Sequence, residues 1–195
     1  MGRCRYCLSV AASKFFAPVP NASQSSIKTT RGVSSYPMHN HQLCRMSIHS
    51  LDDTDRLGRM LAQRLPDRTT IGLVGTLGAG KTRLVQSVAA AIGVPEGTAT
   101  SPTFTLIQPY HAANRRIYHV DAYRVNDLDE FLELGIEELM EEPGAWVFVE
   151  WGDRVADVFP AETLWLQIEV VSPTQREVTF FGDPAVWESL FSNSL

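Results

Sequence analysis

The sequence predicts a three-layer α/β domain built on a mixed, partly parallel central sheet. Three observations carry this. Short apolar, β-branched runs alternate with amphipathic helical stretches, the pattern of a sheet covered by helices on both faces. A glycine-rich run, Gly75-Thr76-Leu77-Gly78-Ala79-Gly80-Lys81-Thr82, lies between one such strand and one such helix. Two pairs of neighbouring strands are close enough in sequence to form hairpins, so the sheet is not purely parallel.

The elements follow in order. Residues 1–45 are rich in Ser, Pro, Asn and Arg, lack apolar periodicity and read as a disordered leader. Residues 46–183 form the predicted folded domain, and residues 184–195 a tail or short helix. Ser50 is placed to cap a helix, with Asp52 and Asp53 in its first turn. Leu57, Leu61 and Leu65 recur at four-residue spacing with Met60 beside them, and the helix ends before Pro66. Thr69–Val74 reads as a buried strand. After the glycine-rich run, Leu84–Ile92 reads as a helix stopped by Gly93 and Pro95. Phe104–Gln108 and Arg116–Val120 read as paired strands with Asn114 in the turn. Asp127–Glu142 reads as two short helices broken at Gly135. Trp146–Val149 is a further buried strand, and Leu164–Val170 with Glu177–Phe181 a terminal strand pair.

Charge is distributed unevenly. Residues 1–51 hold six Arg or Lys and no Asp or Glu, whereas the remainder holds 11 basic against 22 acidic residues. A body this acidic does not hold nucleic acid by charge alone, so contact with RNA is expected only through a partner. No run of about 18 apolar residues crosses a membrane. The acid-free leader has two readings: an organellar transit peptide, or a start placed too early, with Met38 or Met46 as the true initiator. The folded part is accordingly expected in the cytoplasm, or in an organelle if the leader is genuine. Cys4, Cys7 and Cys44 are the three cysteines. Cys4 and Cys7 with His39 and His41 make half a zinc set whose spacing matches no closed site.

The glycine-rich run matches G-x-x-x-x-G-K-[ST] at every position, the phosphate-binding P-loop. Gly75, Gly78 and Gly80 permit backbone angles and approaches that a Cβ blocks. The amides of Thr76, Leu77 and Ala79 can then converge on phosphate oxygens at the positive end of the following helix. Lys81 supplies a point charge to the β- and γ-phosphates, and the Thr82 hydroxyl a ligand for Mg²⁺. Lys81 is the sole lysine after Lys28, in a chain that otherwise uses arginine. ATP is favoured over GTP because no Asn-Lys-x-Asp signature is present. Two acids end apolar runs where a metal site needs them: Asp121 after Ile117–Val120 and Glu150 after Trp146–Val149. Ser101, Thr103 and Thr105 offer hydroxyls that sense a γ-phosphate, or else a polar turn. Trp151 covers a nucleotide or packs in the core. His119 reads as structural, and Arg124 as a γ-phosphate contact or an ion-pair partner. The acidic stretch 127–142 reads as a solvated face or a surface for a basic partner.

Four blocks together, GTLGAGKT at 75–82, SPTFTLI at 101–107, YHVDAYR at 118–124 and VEWGDR at 149–154, resemble the TsaE family. This is the bacterial ATPase that serves the making of threonylcarbamoyladenosine in tRNA. The resemblance runs from about Leu51 to about Val170. It implies a compact P-loop fold, with ATP and Mg²⁺ as cofactors and slow hydrolysis by the protein alone. It places Lys81 and Thr82 on phosphate and metal, Glu150 on the metal, and Asp121 as a catalytic or water-positioning acid. Thr103 and Thr105 fall in a switch-like segment, and Trp151 beside the nucleotide. The implied partners are TsaD and TsaB, which act on the adenosine next to the anticodon. Arg83, a nucleotide-binding position by its place in the motif, departs from the second threonine that many members use on the α-phosphate. The other readings are a small-molecule or nucleoside kinase, which needs a basic lid that residues 125–153 lack, and a nucleotide-operated binding switch without turnover.

Overall fold

The structure is a computed structural model that describes residues 41–95 and 97–192. Seven strands form one sheet: β1 (His41–Ile48), β2 (Thr69–Val74), β3 (Ile107–Ala112), β4 (Arg115–Asp121), β5 (Ala145–Glu150), β6 (Leu164–Val170) and β7 (Arg176–Gly182). Their order across the sheet is β1-β7-β6-β2-β5-β4-β3. The centre is parallel, β4 with β5, β5 with β2 and β2 with β6. The flanks, β3 with β4, β6 with β7 and β7 with β1, are antiparallel. Every residue of β2 and β5 is buried, as strands covered on both faces require.

Helices α1 (Leu51–Arg64), α2 (Lys81–Ala91) and α5 (Pro184–Trp187) cover one face, and α3 (Leu128–Glu133) with α4 (Ile136–Glu141) the other. Ser50 caps α1 as expected, its side chain accepting the Asp53 amide. The buried residues of α1, Leu57, Met60 and Leu61, face the larger core with Phe148 and Phe180. The smaller core gathers Phe131, Ile136 and Met140 from the acidic stretch under Val147 and Val149. That stretch is therefore half core, with most of its carboxylates outward and Glu142 turned in to Tyr118 and Arg116. Among the described residues, no helix is long and apolar enough to cross a membrane.

The expected mixed three-layer architecture is the one observed, but several boundaries move. β1 begins at His41, inside the segment read as leader, and pairs antiparallel with β7. Cys44, assigned to the leader, is 4% exposed in the core. The local pattern hid this strand because its stability comes from β7, whose paired residues lie 128 (Ile48 with Arg176) to 141 (His41 with Gly182) positions further along the chain. Cys4, Cys7, His39 and Met38 lie outside the described residues. Met46 is a buried β1 residue, so a chain starting there would lack residues 41–45 of the strand. The segment after 183, read as a tail or short helix, is helical from Pro184 to Trp187 and continues as a 3-10 turn over Glu188–Phe191. Trp187, Leu190 and Phe191 are buried, and the Trp187 indole donates to the Glu162 carbonyl at 2.8 Å. The third strand starts at Ile107 rather than Phe104. Residues 102–106 form a turn closed by the Leu106 amide on the Pro102 carbonyl at 2.7 Å, with Leu106 at φ 61°, and Phe104 is 85% exposed. Helix α2 starts at Lys81, three residues before the apolar pattern shows it, because its first turn faces the site.

Candidate functional site

The site is built where the carboxyl ends of the parallel strands meet the start of α2. The loop from β2 to α2 is residues 75–80. A Cβ on Gly75 would fall 2.3 Å from the Ile168 carbonyl oxygen, so the loop's first bend against β6 demands glycine. Gly80, the N-cap of α2, sits at φ 108°, a conformation that side chains disfavour. Thr76, Leu77 and Gly78 are exposed, whereas Ala79 packs into the core at 1% exposure and anchors the loop. Arg176 of β7 braces it from outside, donating to the Ala79 carbonyl at 3.1 Å and the Gly78 carbonyl at 3.4 Å.

Lys81 bends back over this loop. Its Nζ donates to the Gly75 and Thr76 carbonyls at 2.8 and 3.1 Å and lies 3.8 Å from the centre of the Trp151 ring. Burial pushes its pKa below the usual 10.5, against the upward pull of Glu150, Asp121 and Asp153. Trp151 itself has φ 58° and stacks on Tyr123 with ring centroids 5.0 Å apart. The structure thus sets this indole against the Lys81 ammonium while the side chain also packs on the smaller core, so the ring does both.

Parallel pairing aligns the two acids. Asp121 ends β4 and Glu150 ends β5, and they are partners in the register. Strand alternation puts His119 on the same face as Asp121, and Phe148 on the same face as Glu150. This is the face covered by α2, because Ile117 and Phe148 lie in the larger core with Val85 and Val88. Thr82 at the start of α2 donates its hydroxyl to Glu150 Oε1 at 2.6 Å. The Thr82 proton is thereby committed, and its oxygen lone pairs are left for a cation. Asp121 Oδ2 accepts from the Thr103 hydroxyl at 2.9 Å, and Oδ1 from the Tyr123 amide at 2.9 Å. Ser101 and Thr103 share a 2.8 Å hydroxyl contact, so of the three switch-like residues Thr103 meets the acid directly and Ser101 through it. Thr105 does not: its side chain is exposed and its amide closes the turn on Pro102.

Among the described residues, no group of three or more acids, imidazoles or thiols could hold a metal alone. Mg²⁺ needs no such cage. It keeps several waters and takes one or two protein oxygens plus substrate phosphates. Thr82 with Glu150, beside the glycine loop, would fit that donor set. Asp153 adds a buried Oδ1 that has no hydrogen-bond partner among the described residues.

Two arginines have their side-chain partners outside the loop. The Arg83 guanidinium does not reach the loop. It pairs with Asp55 at 2.6 Å and Ser87 at 2.9 Å, locking α1 to α2. Arg124 lies over the Phe104 ring at 4.6 Å. The structure also brings to the site residues whose sequence context assigned them no part in it. His119, read as structural, is fully buried against Glu150 at 2.8 Å, with Tyr110 behind it. Its place two residues before Asp121 on one strand was the available signal. A cleft of about 470 Å³ opens on the flank of the loop, bordered by Ser50, Thr54, Gly80, Arg83, Ile168 and Arg176. Ser50 was read only as a helix cap, and Arg176 carried no motif.

Comparison with known proteins agrees with this fold. Residues 48–178 match the family model of the threonylcarbamoyl adenosine biosynthesis protein TsaE. The chain is 38% identical over 135 residues to the tRNA threonylcarbamoyladenosine biosynthesis protein TsaE of Treponema pallidum, covering 69% of this chain and 98% of that one. It is 36% identical to its counterpart in Aquifex aeolicus, over 69% of this chain and 92% of the other. The crystal structure of Bacillus subtilis YdiB superposes with a TM-score of 0.60 at 26% identity, covering 77% of this chain and 92% of that one. With its phosphate loop, paired acids and 131-residue family match, this chain belongs to the TsaE family of threonylcarbamoyl adenosine biosynthesis proteins.

Proposed function

We propose that this protein binds and hydrolyses ATP with Mg²⁺ in support of tRNA threonylcarbamoyladenosine biosynthesis, working with TsaD and TsaB rather than modifying tRNA itself. The observation that supports the reading best is the Thr82–Glu150 hydrogen bond beside the glycine loop. It joins the two residues that a P-loop site uses for its metal.

In this reading the loop amides and the α2 N-terminus receive the phosphates. Lys81 exchanges the Gly75 and Thr76 carbonyls for phosphate oxygens, relieving a desolvated charge. The flanking cleft beside Ser50 and Arg83 takes the nucleoside end. Mg²⁺, when bound at Thr82 and Glu150, neutralises phosphate charge. Asp121 orients a water, whose oxygen forms a bond to the γ-phosphorus as the bond to ADP breaks. The products are ADP and inorganic phosphate, and Asp121 accepts the water's proton. Thr103 and Ser101 tie this acid to the loop 101–106, which can pass the nucleotide state to a partner. The exposed Leu77 and Phe104, at 84% and 85%, lie in the loop and the switch-like segment and suit such a contact.

The acid-lined, lysine-free stretch 125–153 does not favour the kinase reading, because phosphoryl transfer to a small acceptor needs cations over the phosphates. The test is reconstitution. The chain, mixed with TsaD, TsaB, ATP and tRNA, should support modification and release phosphate. Lys81→Ala should do neither. Activity of the mixture without this chain, or with Lys81→Ala, would refute the proposal.

A further inference from the structure

His119 is the most deeply buried polar group near the site, and both its ring nitrogens are engaged. Nε2 lies 2.8 Å from Glu150 Oε1, and Nδ1 lies 3.1 Å from the Tyr110 hydroxyl. That hydroxyl also lies 2.6 Å from the Thr100 carbonyl, which only accepts. Tyr110 has one proton, and it therefore goes to Thr100. Burial and the nearby Glu150 push its pKa up to about 12, so the phenol keeps that proton. The Nδ1 of His119 must then donate to Tyr110. One proton lies between Nε2 and Glu150 Oε1, whichever atom carries it. The same Oε1 accepts from Thr82 at 2.6 Å. One carboxylate oxygen is thus clamped from two sides, and the other receives no hydrogen bond among the described residues.

We propose that Tyr110 and His119 are positioning residues for the metal-binding carboxylate. They orient Glu150 so that one oxygen holds Thr82 and the other stays available to Mg²⁺ or its water. The chain of contacts starts at Thr100, next to Ser101 and Thr103, so the clamp also ties the switch-like segment to the metal acid. An ordinary buried histidine needs its nitrogens satisfied. This one is satisfied by the metal acid on one side and by the anchor of the switch segment on the other. The inference rests on the nucleotide reading above, and its test separates the two.

The measurement is the affinity of the full chain for a non-hydrolysable ATP analogue, with Mg²⁺ and with EDTA. The ratio of the two is the metal's gain. Tyr110→Phe removes one oxygen and should leave the EDTA affinity unchanged while cutting the gain about tenfold, as outer partners of metal ligands commonly do. His119→Gln keeps an N–H for Glu150 and should retain more of the gain than His119→Leu. A packing role predicts the reverse order, because leucine suits an apolar face better. A parent-like gain in both Tyr110→Phe and His119→Leu overturns the positioning role. If the unsubstituted chain binds the analogue no better with Mg²⁺ than with EDTA, the metal reading falls, and this inference with it.

Discussion

Asp121 and Glu150 lie directly opposite each other in the parallel register of β4 and β5, yet a different hydroxyl holds each: Thr103 for Asp121, Thr82 for Glu150. The sequence left open which of these strand-end acids serves the metal. The hydroxyl partners support the proposed division of roles, because Thr82 belongs to the glycine loop and Thr103 to the switch-like turn.

This division predicts opposite signatures. Glu150→Gln should remove most of the Mg²⁺-dependent gain in nucleotide affinity and leave binding in EDTA near normal. Asp121→Asn should bind Mg²⁺–nucleotide normally and lose roughly 10²–10⁴-fold in phosphate release with the partners, the usual range for a missing general base. Calorimetry and a phosphate-release assay separate the two. Identical profiles would contradict the assignment.

Lys81 makes a second case. At a ligand concentration about 100 times its Kd, binding stabilises the fold by about 2.7 kcal/mol, roughly 5–10 °C in melting temperature for a domain of this size. ATP with Mg²⁺ should raise the melting temperature of the parent by about that much. Lys81→Ala should melt cooperatively and show no shift.

Burial lowers the Lys81 pKa from 10.5, and a bound polyphosphate must raise it again. The sign follows. Between the lysine's lowered pKa in the free protein and its raised pKa in the complex, each binding event takes up a proton, and affinity falls by at most about tenfold per pH unit. That decline should begin below pH 10.5 and be absent from Lys81→Met. Calorimetry in buffers of different ionisation enthalpy measures the proton uptake directly.

Trp151 should report occupancy. Its ring contacts the Lys81 ammonium at 3.8 Å, while Trp146, Trp165 and Trp187 are buried at 1%, 6% and 3% exposure. Nucleotide binding draws the ammonium toward phosphate and should change tryptophan fluorescence. Trp151→Phe should lose most of that signal. Persistence of the full signal in this variant would place the change elsewhere.

The β1 strand offers a test of the domain's edge. A chain that begins at Met46 lacks the buried Cys44 and the 2.9 Å Arg45–Glu177 ion pair. Loss of this half-strand should lower stability by about 1–3 kcal/mol in urea denaturation, in line with removing one or two buried side chains. Equal stability of the two chains would mean that residues 41–45 contribute nothing to the fold.

Much of this molecule is legible along the chain. The phosphate loop is visible because its chemistry is contiguous: glycines, lysine and threonine must occupy neighbouring positions to wrap one anion. Helix α1 is visible through its cap and its four-residue spacing, and β2 and β5 through unbroken apolar runs. Asp121 and Glu150 stand out because each ends such a run. Three features emerge only when the chain folds. β1 is held by β7, and no local rule reports a partner so far away. The role of His119 depends on parallel pairing that brings β4 beside β5, since an isolated histidine on a strand looks like core. Arg83 follows the motif yet serves α1, because Asp55 meets it only when the two helices pack. Short-range chemistry is written in adjacent residues, whereas a shared proton or an ion pair between distant elements exists only after register and packing set the distance.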